Sequence, residues 1–287
     1  MCGIVGFIGT PRPEMLAAMT DSLVHRGPDG EGRHIEQGVG LHLGQRRLAI
    51  LDIAGGAQPM WDAEGRCVLI FNGQIYNHAE LRRELEAEGR PFRSDHSDTE
   101  VILQAYLAWG IEEMHRRFNG MWAFALYDRA RKQLLLSRDR FGEKPLYYTD
   151  RNGTFAFASE VTALARHPDI ALGPSALSIQ KYFAYGFVPG ADSIYDGVRK
   201  LPAGCWMTVD LASGQRSLQQ YWSFRLEPDQ GATADDVGGY VEELRARMQR
   251  AVAMRLAADV PVGVLLSGGI DSSAIVHFAA ASTDRPV

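Results

Sequence analysis

The sequence predicts an α+β fold in which two layers of β-sheet are covered by helices, followed by the beginning of an α/β domain. The first two-thirds of the chain contains short apolar or β-branched runs bounded by Gly, Asp or Asn, which are typical of strands. A few longer stretches with helical spacing interrupt these runs. Near Phe224 the character changes, and the chain continues as helix, strand, glycine-rich turn and helix.

Six strands and three helices are predicted in the first part of the chain. The runs that predict strands cover residues 4–8, 40–43, 67–71, 121–127, 133–137 and 154–158. Helical periodicity predicts helices over 12–22, 78–88 and 99–109. In the helix over 78–88, Leu81 and Leu85 fall on one face, which should pack against a sheet.

A segment rich in Pro, Asp, Gly and Ala, residues 227–236, is typical of a linker. We therefore expect a first domain over 2–215, a linker over 216–235 and a second domain over 236–287. No internal repeat or low-complexity tract interrupts this organisation.

The second domain is predicted to contain a helix over 236–258, a strand over 263–266 and a helix over 271–281. Strand, turn and helix in this order open an α/β domain with a parallel sheet. Because a second strand should follow, we expect this domain to be incomplete in the sequence.

The composition is ordinary for a soluble globular protein. Of the 287 residues, 46% are hydrophobic and 23% are charged, and the net charge is −5. That charge disfavours nucleic acid or an anionic membrane surface as the main partner. No apolar run approaches the roughly 20 residues of a membrane span, and the N-terminus lacks a secretory signal pattern, so we expect a cytoplasmic protein.

Three cysteines, Cys2, Cys67 and Cys205, are too few and too widely spaced for a disulfide framework or a zinc site, and we assign no residue to a metal. A lone cysteine is usually a small buried hydrophobe. Cys2 differs because it directly follows Met1, whose removal would leave one residue with a thiol and a free α-amine. The amine could then relay the thiol proton near neutral pH, which makes Cys2 a candidate nucleophile.

Asn72 and Gly73 follow an apolar run and admit two interpretations. Between apolar runs, Asn-Gly is the strongest short-range signal for a hairpin turn. Alternatively, the Asn72 amide and the Gly73 N–H point at a developing oxyanion, since only glycine lets a backbone N–H approach a substrate so closely.

The segment 97–100 also admits two interpretations. Ser97 and Glu100 have the spacing of a capping box at the start of a helix. Alternatively, Asp98 holds a substrate ammonium while Arg47 clamps the matching carboxylate through a bidentate pair. An arginine and an aspartate together suit a free amino acid, which carries one charge of each sign.

The segment 264–273 predicts a buried strand that feeds a glycine-rich turn at a helix N-terminus. Such a turn can cradle an anion through unpaired N–H groups. It is not a Walker loop, because the lysine of that motif is missing. The alternative is an ordinary strand–helix turn that Asp271 or Ser272 caps.

Taken in order, these segments resemble the class II glutamine amidotransferases, which are N-terminal-nucleophile hydrolases. The resemblance rests on Met-Cys-Gly-Ile-Val-Gly at 1–6, His-Arg-Gly-Pro-Asp at 25–29, Arg-Leu-Ala-Ile at 47–50, Asn-Gly-Gln-Ile-Tyr-Asn at 72–77 and Ser-Asp-Thr-Glu at 97–100. Further stretches at 138–142, 144–148 and 157–160 are similar to the asparagine synthetase branch. The resemblance implies an αββα sandwich for the first domain and an ATP-pyrophosphatase sheet for the second.

The resemblance also implies a role for each matching residue. Cys2 would attack the side-chain amide of glutamine to form a thioester and release ammonia. Asn72 and Gly73 would form the oxyanion hole, Arg47 would bind the glutamine carboxylate and Asp98 its amino group. Further contacts would come from the backbone of Leu48, Ala49, Ile50, Leu51 and Gln74. Many members of the family carry Glu where this chain has Gln74.

The loop at 267–272 resembles the pyrophosphate-binding loop of ATP pyrophosphatases. In that family the loop holds the β,γ-phosphates of ATP, usually with Mg²⁺, while the α-phosphate is transferred to a carboxylate. The implied ATP-binding residues are Leu265, beside the adenine end, and Ser267, Gly268, Gly269, Asp271 and Ser272. Ammonia from Cys2 would then amidate an acyl-adenylate, which makes the protein a carbon–nitrogen ligase with glutamine as amide donor.

Several alternatives stay open at the level of the sequence. The leading one is a glutamine-hydrolysing asparagine synthetase with aspartate as acceptor, and a close competitor adenylates another carboxylate on the same scaffold. Amidotransferases that serve sugar phosphates or phosphoribosyl pyrophosphate share the first domain but not the loop at 267–272. A non-catalytic regulatory protein with this fold is a further alternative, and a homodimer is one candidate oligomeric state.

Overall fold

The computed structural model describes residues 1–10, 12–151, 153–231 and 233–286. The chain divides into two compact units, Met1–Ser223 and Phe224–Val287. Val287, the end of the expected second domain, lies outside the described residues. Among the described residues, no helix is both long and apolar enough to span a bilayer.

The first unit contains two six-stranded antiparallel sheets. Its twelve strands are β1 (Gly3–Ile8), β2 (Gly30–Glu36), β3 (Leu41–Arg47), β4 (Met60–Trp61), β5 (Cys67–Ile75), β6 (Gly120–Asp128), β7 (Gln133–Arg138), β8 (Tyr147–Arg151), β9 (Thr154–Ala158), β10 (Val198–Lys200), β11 (Cys205–Asp210) and β12 (Arg216–Gln220). The strand order is β10-β8-β9-β1-β3-β2 in the first sheet and β12-β11-β7-β6-β5-β4 in the second.

Five helices belong to the same unit: α1 (Pro13–Asp21), α2 (His78–Ala87), α3 (Asp98–Arg117), α4 (Val161–Leu164) and α5 (Ala176–Tyr185). Helix α3 continues beyond the predicted end at residue 109. Gly110 has a φ of 74°, so the chain bends there before the helix resumes. Glycine adopts this left-handed conformation without steric cost, which explains how one element contains both segments.

Period-two alternation along the strands gives each sheet two apolar faces and builds four layers. Ile4 of β1 and Ile70 of β5 meet in the core between the sheets. Phe7, on the opposite face of β1, packs against α1 and α4. Phe71, on the opposite face of β5, packs against α2 and α3. The predicted αββα sandwich is therefore confirmed.

All six predicted strands are present. The strands that were not predicted include exposed edge strands and also a buried inner strand, β11. β2 is half-exposed along its length and carries charged residues, because it lies at the edge of the first sheet. β12 lies at the edge of the second sheet, where it pairs with β11 between Cys205 and Val209. Residues 216–220 were expected to begin the linker, and this pairing instead places them in the first unit.

The second unit contains α6 (Val237–Arg255) and α7 (Ile270–Ser282), close to the two predicted helices. The predicted strand over 263–266 is wrong, because residues 261–267 have no regular secondary structure. A strand is defined by hydrogen bonds to a neighbouring strand, and the described part of this unit contains no such neighbour.

The core between the sheets makes a testable prediction. Phe157 is fully buried there, so Phe157→Ala should lower the free energy of unfolding by about 3–5 kcal/mol through lost burial and a cavity. Urea denaturation followed by tryptophan fluorescence measures this change. Phe183→Ala is the matched control, since that ring is 83% exposed and its loss should cost less than about 0.5 kcal/mol. Equal losses in the two variants would contradict the assigned core.

Candidate active site

A cavity of about 80 Å³ opens where the start of β1 faces the second sheet. The sequence-predicted residues that line it are Cys2, Arg47, Leu48, Ile50, Leu51, Asn72, Gly73, Gln74 and Asp98. Ala49 does not line the cavity, and its N–H donates to Asp29 Oδ2 at 2.9 Å. Residues separated by up to 96 positions therefore meet at one place, as expected for a single site.

Cys2 and Asn72 approach the cavity from opposite sheets. Cys2 is two positions before Ile4, which faces the second sheet, and the alternation of side chains gives Cys2 the same direction. Asn72 is two positions after Ile70, which faces the first sheet. The packing of the sheets thus brings the thiol and the amide to the two sides of one cavity.

The Asn72 side-chain Nδ2 is buried and has no hydrogen-bond partner among the described residues. Buried polar atoms in proteins are nearly always hydrogen-bonded, and an unpaired one is costly. An unpaired donor in the wall of a cavity is therefore available to a ligand oxygen.

The Gly73 N–H points to the same cavity. Trp122 of β6 lies opposite Gly73. The Trp122 N–H donates to Asp139 Oδ2, and its carbonyl oxygen accepts the Asp139 N–H, so both groups point away from β5. Gly73 and Trp122 are therefore a non-hydrogen-bonded pair. The Gly73 N–H therefore points away from β6. The neighbouring N–H groups point to the same side. The Phe71 N–H donates to Gln58 Oε1 at 2.6 Å, and the Ile75 N–H donates to Asp98 Oδ2 at 3.0 Å.

The hairpin interpretation of Asn72 and Gly73 is wrong, because both residues lie inside β5. Glycine is required at position 73 by the neighbouring strand. A Cβ there would lie 2.1 Å from the Met121 carbonyl oxygen and 2.7 Å from the Phe71 ring. The missing side chain thus permits close packing of β5 on β6 directly beside the exposed N–H.

Arg47, at the end of β3, is held by the loop that follows it. Its guanidinium donates to the carbonyl oxygens of Leu51 at 3.2 Å, Asp52 at 2.6 Å and Ile53 at 2.8 Å. These bonds use three of the five N–H donors of an arginine and leave two for a ligand. A Cβ at Gly56 would lie 2.3 Å from the same guanidinium, so the loop closes tightly around it.

Asp98 is buried at the start of α3, and burial raises the pKa of its carboxyl group. The capping-box interpretation of this segment is wrong. Ser97 is the residue before the helix, but its side chain makes no capping bond. Glu100 instead accepts hydrogen bonds from the N–H groups of Arg93 and Ser94, because the preceding segment folds back over its carboxylate.

The loop at 25–29 contacts both Cys2 and the chain after Arg47. Arg26 Nε donates to the Cys2 carbonyl oxygen at 2.9 Å, and its Nη1 pairs with Glu160 at 2.9 Å. Asp29 receives the Ala49 N–H and donates its own N–H to the Arg47 carbonyl oxygen at 3.0 Å. Side chains to which the sequence assigned no step therefore position both walls of the cavity.

The Cys2 thiol is half-buried, and burial raises its pKa above the ordinary value. A hydrogen bond from the Leu48 N–H to Sγ, at 3.3 Å, opposes that shift. A thiol with a raised pKa is mostly protonated at neutral pH, and it needs a base to become a nucleophile. Among the described residues, no histidine lines the cavity.

Sequence reasoning missed several residues of the cavity: Met1, Gly56, Gln58, Phe71, Thr99, Met121 and Lys144. Lys144 belongs to one of the stretches that resemble the asparagine synthetase branch, so a signal for it was present. Gln58 has no such signal. It enters the site because its side chain bridges Phe71 N and Thr99 Oγ1, a contact that only the folded chain creates.

The predicted nucleotide loop lies in the second unit, at the start of α7. Gly268 has a φ of 81°, and Gly269 is the residue before the helix. The Ser267 and Ser272 hydroxyl oxygens lie 3.0 Å apart, and neither caps the helix through its side chain. Asp271 and Leu265 are exposed. Among the described residues, no cluster of three or more His, Cys, Asp or Glu side chains could hold a metal.

Comparisons with known families divide the chain in the same two parts. A family described as a glutamine amidotransferase domain matches residues 1–222, and a family described as asparagine synthase matches residues 243–287. Glutamine-hydrolyzing asparagine synthetase 1 of Bacillus subtilis is 39% identical over 97% of this chain. Putative glutamine-hydrolyzing asparagine synthetase 2 of Methanocaldococcus jannaschii is 35% identical over 99% of it. The chain spans 44% and 58% of the length of these two relatives.

Solved structures confirm the fold. Glutamine phosphoribosylpyrophosphate amidotransferase of Bacillus subtilis, complexed with ADP and GMP, has a TM-score of 0.58 at 17% identity. The match covers 98% of this chain and 64% of that chain. At such low identity the likeness concerns the fold alone.

Proposed function

We propose, because the chain belongs to the family of glutamine amidotransferase domains, that its first unit hydrolyses glutamine to glutamate and ammonia at Cys2. One observation carries the proposal. Two unpaired hydrogen-bond donors, Asn72 Nδ2 and the Gly73 N–H, face the cavity that contains the Cys2 thiol. This is the arrangement of an oxyanion hole beside a nucleophile.

In the proposed reaction, Cys2 Sγ attacks the side-chain carbonyl carbon of glutamine. The thiol proton passes to the Cys2 α-amine, freed by removal of Met1, and from there to the leaving nitrogen. The oxygen gains negative charge in the tetrahedral intermediate and accepts hydrogen bonds from Asn72 and Gly73. The C–N bond then breaks to release ammonia, and water hydrolyses the thioester to glutamate and free thiol.

Two charged residues of the cavity, Arg47 and Asp98, suit the other end of glutamine. Arg47 has two unused N–H donors for the α-carboxylate. Asp98 is a buried carboxylate in the same cavity, and a substrate ammonium would supply the opposite charge it lacks there. The carboxylate would pair with the partly buried Arg47 and the ammonium with the buried Asp98, which favours an amino-acid substrate over an uncharged amide.

The N-terminal mechanism predicts that active protein begins at Cys2. Met1 lines the cavity, so a chain that retains Met1 should bind glutamine poorly and lack the amine base. Mass spectrometry of the active preparation should show loss of Met1, and Cys2→Ala should abolish glutaminase activity. Cys205→Ala is the control, because that thiol is buried away from the cavity. Full activity with Met1 intact would contradict the mechanism.

The oxyanion hole predicts a large loss in Asn72→Ala. Removing one donor should lower kcat for glutamine hydrolysis by about 10²–10³-fold, with a smaller change in KM, because the bond strengthens in the transition state. Steady-state ammonia release measures both parameters. Asn77→Ala is the control, since its side chain bonds to Arg117 and Asn119 outside the cavity. An unchanged kcat in Asn72→Ala would remove the oxyanion hole from the proposal.

For the second unit we propose ATP binding at Ser267, Gly268, Gly269, Asp271 and Ser272, with Leu265 towards the adenine. The donor set fits a polyphosphate, because two hydroxyl groups lie 3.0 Å apart beside the N–H groups of a helix start. Asp271 is the carboxylate that would hold Mg²⁺ together with the phosphates, since Mg²⁺ needs only one or two protein carboxylates in such sites. Bound ATP would supply the activating group for a carboxylate acceptor.

The complete reaction that we propose is that of a glutamine-hydrolysing asparagine synthetase, in which ammonia amidates an aspartyl-adenylate. The support is the identity to relatives of that name over nearly the whole chain. The competing acceptor is another carboxylate on the same scaffold. One relative with a different name, "Amidase chry2" of Gibberella zeae, is 31% identical over 96% of this chain. We also propose a cytoplasmic location, a homodimer and a linker that ends at residue 235, and the sequence and the family support these assignments.

An acceptor screen separates the two candidates. A protein that contains the complete synthetase part should release pyrophosphate from ATP with aspartate, and glutamine should convert the adenylate to asparagine. Mass spectrometry of the product identifies the acceptor. Pyrophosphate release with another carboxylate but none with aspartate would favour the competing reaction. Neither outcome would change the proposal that the first unit hydrolyses glutamine.

A further inference from the structure

Lys144 is a buried cation in the wall of the cavity, and the proposed reaction does not yet use it. Its residue is 5% exposed, and its Nζ donates to Met1 Sδ at 3.1 Å. A thioether sulfur is a weak acceptor, and among the described residues no carboxylate forms an ion pair with this ammonium. A buried charge without such a partner is unfavourable, so the fold must hold it in place.

The loop that carries Lys144 is fixed by two charged side chains. The Asp139 carboxylate accepts the backbone N–H groups of Phe141, Glu143 and Lys144 at 2.9–3.0 Å. The Arg138 guanidinium donates to three backbone carbonyl oxygens at 2.7 Å, those of Gly142, Lys144 and Leu201. Because these bonds reach only the backbone of residue 144, its side chain can be exchanged without removing the support of the loop.

Removal of Met1 changes the surroundings of Lys144. The ammonium then loses its thioether partner, and the α-amine of Cys2 becomes the chain terminus in the same cavity. We propose that Lys144 faces Cys2 in the processed chain and keeps its α-amine uncharged and its thiol ready to ionise at neutral pH. This inference rests on the proposed glutaminase mechanism and deepens it.

Other charges also lie near Cys2: after the larger, raising effect of burial, Arg47 lowers the pKa of its thiol and Asp98 raises it. Arg26 is paired with Glu160, and Arg47 is bound by carbonyl oxygens. Asp98 is the group proposed for the substrate ammonium, and Asp29 accepts the Ala49 N–H. Among the described residues, Lys144 is the cation near Cys2 that neither an ion pair nor a set of carbonyl oxygens binds. Burial lowers its pKa most and Arg26 lowers it as well, whereas Glu143, Asp139 and Cys2 raise it.

The pKa of the terminal amine supports this assignment. With Met1 present, burial lowers the pKa of the amine, and Arg26 and Lys144 lower it further, whereas Cys2 and Asp29 raise it. After removal of Met1, the terminal amine is that of Cys2 itself, which is one residue closer to the thiol. A neighbouring cation disfavours the protonated amine and favours the thiolate, so it lowers both pKa values. Removing the cation should therefore raise both.

The test compares Lys144→Met, which keeps the length of the side chain, with Lys144→Arg, which keeps the charge. Alkylation of processed protein by iodoacetamide, followed by mass spectrometry of the N-terminal peptide, gives the midpoint pH of Cys2 reactivity. In Lys144→Met this midpoint should move up by about one pH unit, and so should the acidic limb of kcat/KM for glutamine hydrolysis. Lys144→Arg should retain the midpoint of the unmodified protein.

Lys200→Met is the matched control, because Lys200 is a partly buried lysine outside the cavity whose Nζ donates to the Val188 carbonyl oxygen. Its midpoint should not move. Equal midpoints for Lys144→Met and the unmodified protein, or an equal upward shift in Lys144→Arg, would overturn the proposal. Since alkylation does not require turnover, the midpoint tests Lys144 even if the protein fails to hydrolyse glutamine, which would instead refute the proposed function.

Discussion

The site depends on the face-to-face packing of the two sheets. Ile4 and Ile70 lie in the apolar layer between them. Cys2 and Asn72 are two positions from these residues, point in the same directions and place a thiol and an amide beside that layer. The edge of a hydrophobic core thereby becomes a reactive cavity without any change of backbone direction. Burial in this layer also sets the chemistry, because it raises the pKa of the thiol and leaves the amide donor unpaired.

The groups of the cavity are positioned by backbone contacts more than by contacts with one another. Arg47 is held by three carbonyl oxygens, and Asp98 receives the N–H of Ile75. Arg26 holds the carbonyl oxygen of Cys2. Such contacts hold each side chain in place and leave its other donors or acceptors for a ligand, which is the condition for a preorganised site.

Sequence reasoning found the residues whose chemistry is unusual for their position, such as Cys2 after Met1. It also found six strands, because burial on both faces leaves continuous apolar runs. It missed β11, which is buried as well. It missed edge strands such as β12, which are exposed and polar, and it placed a strand at 263–266 where no described strand pairs with it. Gln58 escaped detection because its role arises from contacts between distant segments, which no local pattern encodes.

Asp139 has a consequence for any attempt to redesign this protein. The Asp139 N–H donates to the Trp122 carbonyl oxygen, and its carboxylate accepts the Trp122 N–H, which joins β6 to the start of the loop. The same carboxylate accepts N–H groups of the loop. The Asp139 carboxylate therefore ties the loop to β6, an inner strand of the second sheet. Loop grafting or insertion near residue 139 would therefore destabilise the second sheet as well. At Lys144, by contrast, the charge of the side chain can be changed without removing the bonds that hold the loop.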